Sequence, residues 1–90
     1  MLFPALLEDI IARAENLPEP MAHEPVLFRP STLITSARFI LMNLDNTDPS
    51  LRSAWRNIVR VTPPEFWDPY RGDQELRDDL QRWLGRFAPP

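Results

Sequence analysis

The chain has no cysteine and no lysine, one histidine, one tyrosine and two glycines in 90 residues. Each shortage excludes something. Without cysteine there are no disulfides, thiolate zinc sites or cysteine nucleophiles. A single imidazole, His23, rules out a metal site that needs two. Gly72 and Gly85 are too few and too far apart for a glycine-rich phosphate loop. All ten basic residues are therefore arginine, which offers planar forked donors suited to ion pairs and aromatic stacking and fits a GC-rich genome. No run approaches the roughly 18 apolar residues that span a bilayer. The opening MLFPALLEDIIARA lacks a basic flank and is interrupted by Glu8 and Asp9, so it does not read as a secretory signal. The expectation is a soluble, cytoplasmic protein.

What is present fits one small globular domain over 1–90: 43% hydrophobic residues, 26% charged, net charge −3. The acidic balance opposes general nucleic-acid binding.

Apolar periodicity marks four helices. Over 3–17, Phe3, Leu7, Ile10, Ala14 and Leu17 recur at 4-3-4-3 spacing with Pro4 in the first turn, leaving Glu8, Asp9, Arg13 and Glu15 for water. Residues 18–30 hold four prolines and are expected to run extended, as polyproline II, with Val26, Leu27 and Phe28 packed down. A second helix is expected over 31–44, capped by Ser31 or Thr32. It is apolar nearly all round, as suits the centre of a fold or an interface. Asp48 caps and Pro49 opens a third helix to Val61, with Leu51, Trp55 and Ile58 facing inward. The last helix starts at Asp73, carries Leu76, Leu80, Trp83 and Phe87, and pairs Asp78 with Arg82 at i,i+4. The expected fold is all-α: a small bundle of four helices, with a proline-rich extended connection between the first two.

Between the last two helices lies TPPEFWDPYRGD, where Phe66, Trp67 and Tyr70 interrupt what is normally a polar loop. Thr62 and Glu65 have capping-box spacing, so a short helical turn should open there and stop at Asp68-Pro69. Phe66 is expected to be buried, with Trp67 and Tyr70 partly exposed beside Arg71 as anchors for a partner. The tripeptide Arg71-Gly72-Asp73 resembles an integrin motif, but a turn glycine and a capping aspartate account for it.

No catalytic set emerges. His23 sits in the proline-rich connection with only Glu24 beside it, which reads as a solvated side chain, and Asp78 and Asp79 read as a solvated face. No cofactor is expected. Arg52, Arg56 and Arg60 form a stripe at i, i+4 and i+8, away from the face of Leu51, Trp55 and Ile58. The leading expectation is a non-catalytic protein–protein interaction module, an accessory subunit, adaptor or regulator. It would bind through Trp67, Tyr70, Arg71 and the arginine stripe. Phe39 and Met42 would support a homo-oligomer or a stable hetero-complex. The alternative is a helix-turn-helix DNA-binding regulator using Arg52, Arg56 and Arg60.

Overall fold

The computed structural model describes residues 1–18, 21–23 and 26–87, with backbone alone for 21–23, 26 and 27. Helix α1 (Phe3–Ala14) is followed by strands β1 (Met21–His23) and β2 (Val26–Phe28). Helices α2 (Pro30–Leu41) and α3 (Pro49–Val61), a 3₁₀ helix (Pro64–Tyr70) and α4 (Gln74–Leu84) complete the order. The architecture is all-α, with α1 packed on α2 and α4, and α2 on α3.

In α1, Phe3, Leu6, Leu7, Ile10 and Ala14 form the buried face that the spacing implies. The helix stops at Ala14, short of Leu17, which still packs against the core. Its first amide is satisfied from another element: Phe3 N–H donates to Asp79 Oδ2 on α4 at 2.7 Å. A carboxylate at a helix N-terminus also complements the dipole there. Asp79 is thus not part of a solvated face.

Residues 21–23 and 26–28 of the connection after α1 are extended, but their backbones pair antiparallel, with Met21 opposite Phe28 and His23 opposite Val26. Pairing satisfies amides that a polyproline II course leaves to water. Phe28 is buried at 1% exposure and β2 reaches α3. The side chains of Val26, Leu27 and His23 lie outside the described residues.

Helix α2 begins one residue earlier than expected because Pro30 takes the first turn, leaving Arg29 as N-cap without a side-chain bond. Pro30, Leu33, Ala37 and Ile40 are buried at 3-4-3 spacing, so α2 has one inward face. The helix is not wrapped by the fold: Phe39 is 41% exposed, and Met42, just past its end, 81%.

Both aspartate caps form. Asp48 accepts from Ser50 N–H at 2.9 Å, and Asp73 from Leu76 N–H at 3.0 Å. These amides hold both carboxyls below the ordinary carboxylate range; the Met1 ammonium, 3.0 Å from Asp73, adds to the second. Gly72 supplies the turn before α4 with φ +83°, a conformation other residues resist. On α4, Arg82 pairs with Asp79 at 3.1 Å, not with Asp78, which instead accepts from Gln74 at 2.7 Å.

The capping box at Thr62 does not form. Thr62 closes α3 as its C-cap and is 2% exposed, and its hydroxyl has no hydrogen-bond partner. Pro63 therefore precedes the 3₁₀ helix, which continues through Pro69 to Tyr70. A proline costs less there than in an α-helix interior, because the short segment has few amide bonds to lose.

Candidate functional site

The aromatic segment is held from below by α1. Phe66 is buried at 7% exposure, and Trp67 and Tyr70 are half-buried. Arg13 Nη1 donates to the Phe66 carbonyl at 2.8 Å and to the Tyr70 hydroxyl at 2.9 Å. Its guanidinium lies over the Phe66 ring, 3.9 Å from the centroid. The Tyr70 hydroxyl in turn donates to Asp9 Oδ2. Asp9 and Arg13, assigned to water from periodicity, are the two clamps of this segment. Burial, reinforced by the bond to Asp9 and opposed by Arg13, raises the Tyr70 pKa.

Above that clamp the rings form a continuous series. Tyr70 meets Trp67 at 6.3 Å between centroids, and Trp67 meets Trp55 of α3 at 6.0 Å with an edge-on tilt. Trp55 meets Phe3 at 5.2 Å, Phe3 meets Trp83 at 4.8 Å, and Trp83 meets Phe87 at 4.9 Å. These separations suit the edge-to-face and offset arrangements that aromatic quadrupoles favour. The 3₁₀ helix is therefore an extension of the core that carries Trp67 to the surface.

Trp55 also lines a second feature. A groove of about 450 Å³ between α3 and α4 is bounded by Arg52, Trp55, Arg56, Val59, Gln81 and Leu84. The sequence placed the arginine stripe well away from the Trp55 face. In the fold, Arg52 and Arg56 stand on the groove that Trp55 lines, and Val59 is 50% exposed beside them. Arg60, exposed one turn on, bonds Asn57 at 2.5 Å and does not line it. Trp55 thus connects Trp67 to Arg52 and Arg56. Arg71 is exposed and paired with Asp68 at 2.8 Å. Phe39 and Met42 lie on and just beyond α2 and line neither this groove nor the one described next.

A smaller cavity, about 290 Å³, lies among α1, α4 and the α2–α3 connection, against Phe3, Leu44, Asp79, Arg82, Trp83 and Arg86. Its arginines and Asp79 are used internally, while Asp45 also lines it. Arg82 pairs with Asp79, Asp79 receives Phe3 N–H, and Arg86 donates to the carbonyls of Leu44 and Asp45. It is a seam that secures the connection.

That connection, residues 42–48, is longer than the roughly three to four residues of a helix-turn-helix. Among the described residues no group of three or more His, Asp or Glu side chains is placed to hold a metal. None of their helices is long and apolar enough to cross a membrane. The chain matches no family model, no curated protein and no solved structure.

Proposed function

We propose that this chain is a non-catalytic protein–protein interaction module, a cytoplasmic accessory subunit, adaptor or regulator. Its binding surface is the aromatic segment with the arginine-edged groove beside it. The observation that carries this reading is the position of Trp55, 6.0 Å from Trp67 and on the wall of the groove with Arg52 and Arg56. Tryptophan, tyrosine and arginine on a preorganised base are the residues that dominate interface energetics. Arg13 fixes the base here, so little ordering entropy is lost on binding.

Site-specific photocrosslinking in the native host tests this reading. A photoreactive residue at Glu65 or Val59 should give an adduct of defined mass, and one at exposed Glu8 on α1 should not. A folded protein that cross-links from neither Glu65 nor Val59 defeats the proposal.

Exposure of Phe39 and Met42 favours a second contact, with another copy of the chain or a permanent partner. Duplex DNA is the runner-up ligand, because Arg56 and Arg60 are both exposed on one helix. The net charge of −3 opposes phosphate contact. Tight duplex binding in a low-salt mobility-shift assay, lost on replacing Arg52, Arg56 and Arg60 with alanine, would reverse the order.

A further inference from the structure

We infer that the groove between α3 and α4 receives an acidic, amphipathic peptide segment of the partner. A carboxylate of that segment engages Arg56, and its apolar side chains pack on Trp55, Val59 and Leu84. This rests on the protein-binding reading above and specifies the chemistry of what binds.

Charge selects the occupant. Two guanidinium groups edge the groove, and among the described residues the remaining polar residue lining it is Gln81 and no carboxylate lines it. Arg56 is exposed and has no ion-pair partner among the described residues, unlike Arg38, Arg71 and Arg82, which each pair with an acid. A locally basic groove on a chain of net charge −3 concentrates an acidic segment there and repels it elsewhere.

The apolar floor narrows the choice further. Trp55 is 7% exposed, so it presents an edge and not a whole ring, while Val59 is 50% exposed on the rim. Duplex DNA would set charged phosphates against Val59 and Leu84 and gain nothing from them. A small anion would leave the same wall wet. A peptide with acidic and apolar side chains on adjoining faces satisfies both parts of the groove, as amphipathic helices do in hydrophobic grooves.

The test uses the full chain and synthetic peptides of about twelve residues, roughly three helical turns. The first contains glutamate, leucine and alanine in amphipathic order; the second replaces every glutamate with lysine. The third is polyglutamate, without apolar side chains. Amide shifts in two-dimensional NMR locate each contact. The first peptide should move the amides of Arg52, Trp55, Arg56, Val59, Gln81 and Leu84, and the other two should bind at least about tenfold more weakly.

Arg56→Glu should weaken the acidic peptide by about tenfold and strengthen the lysine peptide, a swap that a purely structural role for Arg56 does not produce. Val59→Ser should weaken the acidic peptide without adding a charge beside Arg56. Thermal melts check that both variants fold. Polyglutamate binding as tightly as the amphipathic peptide, or a short DNA duplex shifting the groove more strongly, overturns the inference. Shifts centred on Trp67 and Tyr70 with a silent groove overturn it while leaving the protein-binding reading intact. Silence of the whole spectrum overturns the inference; silence together with no cross-link from Glu65 or Val59 removes both.

Discussion

Arg13 and Phe66 are joined twice: the guanidinium donates to the Phe66 carbonyl at 2.8 Å and lies 3.9 Å from the centre of its ring. The two residues are 53 positions apart, so the contact ties α1 to the 3₁₀ helix. It accounts for how an aromatic segment with three prolines close by keeps a fixed course. The segment is part of the packed interior and not a loose loop.

Arg13→Ala should therefore lower stability by about 1–3 kcal/mol, the range for losing hydrogen bonds to a charged group together with a cation–π contact. Arg13→Lys should recover only part, since an ammonium can donate to both oxygens but cannot lay a planar guanidinium over the Phe66 ring. Urea unfolding of the three proteins is the check. Equal midpoints for wild type and alanine variant would show that the clamp contributes nothing.

The three aromatics of the segment should separate by burial. Phe66→Ala should cost about 3–5 kcal/mol, as truncation of a buried phenylalanine does. Trp67→Ala and Tyr70→Ala should cost less, because both are half-buried, and should weaken partner binding more than they lower stability. Melting temperatures beside cross-linking yield at Val59 distinguish the two effects. If all three variants lose stability and none loses cross-linking, the segment only plugs the core.

Tyr70 is the sole tyrosine, so its ionisation can be followed directly by ultraviolet absorbance. Burial and the bond to Asp9 raise its pKa in the folded protein. A group with a raised folded pKa contributes stability that is intact below its unfolded value, about 10, and is lost as pH rises through the folded value. The native protein should therefore titrate above the urea-unfolded chain, and Asp9→Asn should narrow the gap. A native titration that coincides with the unfolded one contradicts the contact.

Phe39 and Met42 leave an apolar patch on and beside α2. Sedimentation at micromolar concentration should show a dimer or larger species if a second copy covers them. The double variant Phe39→Ser, Met42→Ser should shift the protein to monomer and remove the concentration dependence of its melting temperature, since neither side chain belongs to the core. A wild-type protein that sediments as a monomer at all concentrations leaves the patch for a different partner.

Features that depend on neighbours a few residues away were legible before folding. The repeats of Phe3, Leu7, Ile10 and Ala14, and of Leu51, Trp55 and Ile58, placed two buried faces correctly because helix geometry alone brings such positions together. The caps at Asp48 and Asp73 and the turn at Gly72 are local for the same reason. Tertiary structure decided the rest. Asp9, Arg13 and Asp79 looked solvated because their partners, Tyr70, Phe66 and Phe3, are 61, 53 and 76 positions away. Thr62 and Glu65 matched a cap motif, yet closing α3 buried Thr62, and no local pattern records that competition. The groove itself exists only where α4 brings Gln81 and Leu84 against Arg52, Arg56 and Val59 of α3. Periodicity says which side of a helix turns inward; packing alone determines which surfaces meet at its edge.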